Sequence, residues 1–346
     1  MERNNRNITL AVTLRGRTGN VLFQVGSAVA IAARYNLNLC IDRMSPTYNI
    51  FLEMEPLLNI IPKTCSNYIQ KLLKYGNKIN LYNRCLAFDD DFYLTHGNFS
   101  RQKSLLRGKL IGLDKLFCQH HQDKLSHLFD LRGWRQSWKY LKIGPRVKQL
   151  RLKNKVILDA RKKLERLGHI HKRVAIHLRV TDASLGPGRN FPGQQYFKKA
   201  MHHFREKWEN VTFLVFSDNP WWCSQQSLFI GKDVKVKERG SKDLTAEKNN
   251  DFALMSASDG FIHTIGSFGW WAGYFCFQNG GEVIYFKNYF KKSINATELM
   301  DCQQKKVEDY FPPQWIGLSA PPLENIINGK KIELKGDVLA GPPFLH

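Results

Sequence analysis

The sequence predicts an α/β protein built on parallel sheets, and three stretches carry that reading. Residues 174–178 are a continuous apolar run bracketed by basic and polar residues, the pattern of a strand buried on both faces. Residues 8–41 read as strand, glycine-containing turn, small-residue helix and strand, a βαβ unit and hence a parallel pair. In the second half, strand-like and helix-like segments alternate as far as residue 286, which argues a second parallel, doubly covered sheet.

A chain of 346 residues has room for two ordinary domains. With 43% hydrophobic and 12% aromatic residues it is globular rather than disordered. The formal charge of +22 points to an anionic partner, whether nucleic acid, an acidic membrane surface or a phosphorylated ligand. Nucleic acid is disfavoured, because the basic residues are scattered and neither zinc-finger spacing nor a basic-region heptad is present. The 7 cysteines show no CxxC spacing, which argues against a zinc site. Their odd number leaves at least one unpaired within the chain; most read as buried free thiols, with room for one or two disulfides. Sequons at Asn7, Asn98, Asn210 and Asn295 permit a secretory-pathway location. No transmembrane helix is expected, since no run of about 18 apolar residues is present. Residues 8–14 suit a strand better than a signal segment.

Taken in order, the strand over 8–14 runs into Arg15-Gly16-Arg17-Thr18-Gly19-Asn20, a turn. Apolar residues at 21, 22, 25, 28, 29 and 32 place a helix over 21–35, and 37–41 is the next strand. Glycines in the turn let backbone N–H groups approach an anion at the helix start. Tight packing of helix on strand accounts for them equally well. The stretch 43–142 is less legible, with 71–78 and 101–115 reading as solvated basic surfaces. Asp89-Asp90-Asp91 contains a D-x-D, either a holder of a divalent metal or an exposed acidic turn. Residues 134–140 form an aromatic and polar cluster suited to packing near a domain edge. A long basic pattern over 145–167, with Pro145 near its start and Gly168 at its end, reads as a helix connecting two domains.

After the central strand, residues 183–190 form a glycine-rich loop. Helix 194–208, strand 212–216, short helix 221–229, strand 234–236, helix 250–257 and strand 261–265 follow. Gly266-Ser267-Phe268-Gly269 opens an apolar helix to 277, and 283–286 is the last strand expected. The tail beyond 320 reads as irregular.

Open α/β sheets bind ligands at the carboxyl ends of their strands. That rule gathers His177, Arg179 and Asp182 after one strand, Ser217 and Asp218 after another, and Thr264, Ser267 and Phe268 after a third. The simpler reading makes them solvated loop residues, and Asp218 is open between an N-cap and a ligand contact. N–H groups of Ser267 and Phe268 at a helix start favour a phosphate. Arg179 can clamp the same anion with two parallel hydrogen bonds. A carboxylate such as Asp218 suits guanine, whose N1–H and N2–H₂ are donors. Together these pieces make a nucleotide-diphosphate site.

These residues also carry a resemblance to a known family. Residues 15–20 resemble the N-terminal G-R-x-G-N turn of the α-1,2-fucosyltransferases, and 134–140 resemble their W-Q-S-x-K-Y segment. Residues 177–182 resemble the H-x-R-R-x-D motif, shared with α-1,6- and protein O-fucosyltransferases. Residues 213–223 resemble the F-S-[DN]…W-C strand end, 251–256 through 264–272 the family's most distinctive block, and 311–317 its closing P-x-W-[VI]-G.

The resemblance implies an α/β, GT-B-like fold with two Rossmann-type parallel-sheet domains facing a cleft. It implies an acceptor-side domain over 1–165 ending in the connector helix, a GDP-fucose-binding domain over 166–318, and an irregular tail over 319–346. The implied reaction is inverting transfer of L-fucose from GDP-L-fucose to the 2-hydroxyl of a terminal galactoside on a glycan, with no metal or other cofactor. By position, Arg179 would bind the β-phosphate and stabilise the GDP leaving group, with His177 and Asp182 supporting the site. Asp218 would read guanine beside Ser217 and Thr264, Ser267 and Phe268 would bind phosphate, and Gly19 and Asn20 would face the donor from the other domain. Asp182 is the candidate for a general base. Two departures stand out. The motif's second arginine is Val180 here, which makes a non-catalytic GDP-sugar- or glycan-binding relative the alternative reading. Relatives also carry an N-terminal membrane anchor that this sequence does not display, so the Golgi lumen and a membrane association are expectations from the family alone.

Overall fold

A computed structural model describes residues 8–75, 78–82, 91–96, 109–112, 116, 128–142, 150–166, 172–181, 189–290 and 307–323. The chain divides into two units, Met1–Leu150 with Leu299–Pro312, and Arg151–Glu298 with Pro313–His346.

In the first unit, β1 (Thr9–Val12), α1 (Thr18–Arg34) and β2 (Asn38–Ile41) form the expected βαβ unit, with β1 and β2 parallel. Small residues at 26, 27, 28, 30 and 32 let α1 lie close on the sheet, so it is buried along nearly its whole length. There follow α2 (Tyr48–Met54), β3 (Lys63–Thr64), α3 (Asn67–Tyr75), β4 (Ile79–Tyr82), β5 (Asp91–His96), β6 (Lys109–Gly112) and β7 (Leu128–Arg132). The sheet order is β3-β2-β1-β7-β4-β5-β6. Strand β5 pairs antiparallel with both β4 and β6, so this sheet is mixed at one edge rather than parallel throughout.

Strand β7 lies in the middle of this sheet, yet its sequence does not read as a buried strand, because Asp130 interrupts the apolar run. Asp130 is wholly buried. It accepts from the Thr13 hydroxyl at 2.7 Å and Arg132 Nε at 2.8 Å, and pairs with Lys78 at 3.0 Å. A buried carboxylate persists only with such partners.

Cys40, in β2, and Cys65, just after β3, form a disulfide that closes a loop around α2. Cys223 and Cys276 are buried thiols whose pKa burial raises, and the other cysteines lie outside the described residues. Reducing the bridge is expected to cost the protein about 2–4 kcal/mol. The check is a melting-temperature drop on adding reductant that the Cys65→Ser variant does not show.

The second unit runs α4 (Asn154–Glu165), β8 (Lys172–Leu178), α5 (Gln194–Lys207), β9 (Val211–Ser217), α6 (Pro220–Ser224), β10 (Val234–Val236), α7 (Leu244–Ala257), β11 (Gly260–His263), α8 (Ser267–Gln278) and β12 (Glu282–Phe286). Next comes α9 (Val307–Tyr310), then β13 (Ile316–Leu318). Its sheet, β10-β9-β8-β11-β12-β13, is parallel at every pairing. Strand β13 is one more than expected, and at three residues it is too short for periodicity to reveal.

Two boundaries differ from the sequence-based expectation. Of the stretch expected as one connector helix, residues 150–153 are not helical and α4 covers Asn154–Glu165, burying Ile157, Ala160 and Leu164 inside the second unit, where it packs on α7. The division therefore falls at Leu150 and Arg151 rather than near 165. Segment Leu299–Pro312 returns to the first unit. There Trp138 Nε1 donates to the Glu308 carbonyl at 2.8 Å, and the Tyr310 ring lies 6.1 Å from Phe23. Among the described residues no helix is long and apolar enough to cross a membrane.

From β8 the chain builds β9 and β10 to one side, then β11, β12 and β13 to the other. The order thus reverses between β8 and β11, which pair in register from Gly260↔Val174 to His263↔His177. Such a reversal leaves a crevice outside the carboxyl ends of the two strands, where ligands bind.

Candidate active site

At that reversal point β8 delivers Arg179. Its guanidinium lies against Gly266, where an added Cβ would stand 3.3 Å from Nη1 and 3.4 Å from Cδ. Gly266 turns β11 into α8 with φ 90° and ψ 149°, a backbone conformation that residues with a side chain avoid. The first turn of α8 has neither a side-chain cap nor an acidic residue, so the positive end of its dipole is not offset within the helix. Arg179 and the α8 start, with Ser267 and Phe268, therefore present positive potential from two directions to one place.

His177 packs on the same turn. A Cβ on Gly269 would fall 2.5 Å from His177 Nδ1 and 3.0 Å from Cγ, and the Phe268 ring is 5.5 Å away. Nδ1 is buried and has no hydrogen-bond partner among the described residues. Burial lowers the His177 pKa to about 4, helped by Arg179 and opposed by Asp218. On the adjacent strand, burial takes His263 to about 3, and its Nε2–H donates to the Gly266 carbonyl at 3.2 Å. Thr264 donates its hydroxyl to the His177 carbonyl at 2.6 Å, tying the two strand ends together.

Both histidines are neutral when folded and titrate near 6.5 when unfolded, so the unfolded chain binds more protons between those values. Stability is fully present above about pH 6.5 and is lost as pH falls toward 4, by up to about 1.4 kcal/mol per pH unit for each histidine. Melting temperatures from pH 7.5 to 4.5 check this, with His177→Gln expected to flatten the dependence.

Asp218 has a structural task. Its carboxylate accepts the Val180 N–H at 2.8 Å, the Thr181 N–H at 3.2 Å and the Thr181 hydroxyl. The sequence left it open between an N-cap and a ligand contact; the cap of α6 is Asn219, which accepts from Trp222 N at 3.1 Å. Asp218 instead holds the backbone just beyond Arg179, and Ser217 donates to it at 3.4 Å. The Val180 side chain is buried, so position 180 does not face the crevice with a side chain. Arg239 donates to the Asp218 carbonyl at 2.7 Å.

The structure thus gathers His177, Arg179, Ser217, Asp218, Thr264, Ser267 and Phe268 at the carboxyl end of one sheet. Gly19 and Asn20 belong to the first turn of α1 in the other unit. There Asn20 Oδ1 accepts from Gln136 Nε2 at 2.5 Å. In the same cluster, 134–140, Arg135 is wholly buried and donates to Ser27 Oγ at 2.7 Å, farther along α1. Asp182, Asp89 and Asp90 lie outside the described residues, and Asp91 opens β5. Among the described residues no group of three or more side chains could hold a metal ion. Sequence reasoning passed over His263, the individual roles of Gly266 and Gly269, and a charged cluster in which Lys237 bridges Glu247 and Asp251, the latter at 2.9 Å. That cluster joins two elements, so no local spacing announces it.

The family model described as glycosyl transferase family 11 matches residues 126–319, more than half of the chain. The chain belongs to glycosyl transferase family 11. Within it, the chain is 32% identical over 127 residues to galactoside alpha-(1,2)-fucosyltransferase 2 of Sus scrofa, covering 37% of this chain and 34% of that protein. It is 31% identical over 125 residues to galactoside alpha-(1,2)-fucosyltransferase 1 of Homo sapiens, covering 36% and 31%. The matched stretch spans about a third of the length of these family members. Among solved structures, POFUT1 in complex with GDP-fucose is similar at TM-score 0.50 and 14% identity, covering 82% of this chain and 98% of that one. NodZ alpha-1,6-fucosyltransferase soaked with GDP-fucose gives TM-score 0.47 at 16% identity over 81% and 95%. The POFUT1 likeness is one of fold: α/β units on parallel sheets, the GT-B class expected of this family 11 chain.

Proposed function

We propose that this chain moves L-fucose from GDP-L-fucose to the 2-hydroxyl of a terminal galactoside on a glycan, with inversion and without a metal ion. The observation that carries the reading is Arg179 set against Gly266 at the start of α8. The C1–O bond to GDP breaks, the bonding pair goes to the β-phosphate oxygen, and the acceptor oxygen bonds C1 from the opposite face. Arg179 and the N–H groups of Ser267 and Phe268 meet that developing charge, a task that a divalent cation serves in other transferases. Asp182, as general base, takes the acceptor proton. The names of the curated relatives support the galactoside acceptor. The Cys40–Cys65 bridge and the exposed sequon residue Asn210 suit an oxidising Golgi lumen, with the membrane as a further partner.

The test is a transfer assay with labelled GDP-fucose, GDP-mannose and UDP-galactose on β-galactosides and free galactose, with the product linkage read by NMR. Turnover is expected with GDP-fucose alone and to persist in EDTA, so loss of activity in EDTA sinks the metal-free chemistry. GDP binding without any turnover selects the non-catalytic reading raised by Val180.

A further inference from the structure

Arg189 lies outside the motif that supplies Arg179, yet the fold returns it to the same turn. Its backbone forms an antiparallel bridge with Phe290. The next residue fastens it: Asn190 N–H donates to the Tyr289 carbonyl at 2.8 Å, and the Asn190 amide donates to the carbonyls of Asn288 at 2.7 Å and Phe290 at 3.2 Å. So held, the Arg189 guanidinium stands 5.8 Å from the centre of the Tyr289 ring. Tyr289 is fully buried, and its hydroxyl accepts the Gly266 N–H at 3.4 Å. The Tyr289 ring is 6.0 Å from the ring of His263, which itself donates to the Gly266 carbonyl. Arg189 is near enough for its charge to help keep His263 neutral.

Gly266 is thus flanked by Arg179 and, across the Tyr289 ring, by Arg189. Between them α8 begins, with no acidic residue in its first turn. His177, 8% exposed, packs on Gly269 of that turn, and its Nδ1 lacks a hydrogen-bond partner among the described residues. Two guanidinium groups and a helix start suit an anion with more than one negative charge. The related motif carries its second arginine where this chain has Val180, whose side chain is buried and does not reach the crevice. We infer that Arg189 is the second cation of the diphosphate site, supplied from the far side of Gly266 in place of the arginine missing at position 180. The inference rests on the donor reading given above and adds a binding residue to it.

Competition against a fluorescent GDP analogue gives Kd for GDP and for guanosine in the wild type, Arg189→Ala and Arg189→Gln. Both variants are expected to cut the preference for GDP over guanosine about tenfold, the loss of one charge-assisted contact, while guanosine binding changes less than about twofold. In turnover the same variants are expected to raise KM for GDP-fucose more than they lower kcat. Arg189→Gln keeps the aliphatic stem and carries the test if the alanine variant does not melt cooperatively. An unchanged GDP-to-guanosine ratio overturns the assignment and leaves the donor reading standing. Equal weakening of both ligands also overturns it, because it marks a purely structural role. A wild-type chain with no preference for GDP removes both this assignment and the reading beneath it.

Discussion

Arg179→Ala is expected to lower kcat for fucosyl transfer by about 10²–10³. Departure of GDP concentrates negative charge on the β-phosphate, so a cation already in place is worth more in the transition state than in the bound ground state. On the proposed reading Arg179 is such a cation: Gly266, lacking a side chain, leaves its guanidinium room beside the start of α8. Asp218 fixes the backbone that follows, at Val180 and Thr181, so the arm that carries the charge is held at its base. Arg179→Lys keeps the charge and loses the planar fork, so it is expected to recover only a fraction of the rate. Arg179 is part-exposed, and its loss is expected to move the melting temperature little. Steady-state kinetics and a thermal melt on the same preparations decide it: a kcat within threefold of wild type refutes the role.

Gly269→Ala should damage stability and donor binding together. The new methyl would sit 2.5, 3.0 and 3.3 Å from three atoms of the His177 ring. That ring is buried, with Phe268 on one side and the end of β11 beside its strand. Overpacking of this kind costs about 1–3 kcal/mol, and it falls on the first turn of α8, the part proposed above to meet phosphate. A melting temperature lower by a few degrees and a GDP affinity lower by about tenfold are the expected readings. Gly240→Ala is the control, since nothing lies within 4 Å of its added methyl. Combining Gly269→Ala with His177→Ala removes the clash, and the two effects should then fall short of additivity. Full additivity would show that His177 and α8 do not press on one another.

Much of this was legible in the chain because the second unit is built locally. Strands β8, β9 and β11 are largely buried apolar runs, and the helices that follow them are capped by Gly193, Asn219 and Gly266. The position of Arg179 after β8 and of Gly266 after β11 follows from those runs without any tertiary knowledge. The first unit was less readable for an equally physical reason. Its central strand β7 carries Asp130, and a buried ionic network of residues remote in sequence is what makes that strand tolerable. The basic, amphipathic pattern that predicts a helix from 145 runs through residues 150–153, which are not helical although Leu150 and Leu152 are buried there.

By itself, then, the amino-acid order determined the α/β class, the order of elements in the second half, and the set of polar residues placed at strand ends. These depend on periodicity and on residues adjacent along the chain. Only the tertiary structure decided which of them meet. It placed Arg179 on Gly266, gave the Asp218 carboxylate to the backbone of Val180 and Thr181, pressed His177 on Gly269, and brought Arg189 back beside Tyr289. The meetings of Arg179 with Gly266 and of His177 with Gly269 arise because β8 and β11, distant in sequence, lie side by side in register from Gly260↔Val174 to His263↔His177. Contacts set by strand order rather than by spacing leave no mark on the sequence around either partner.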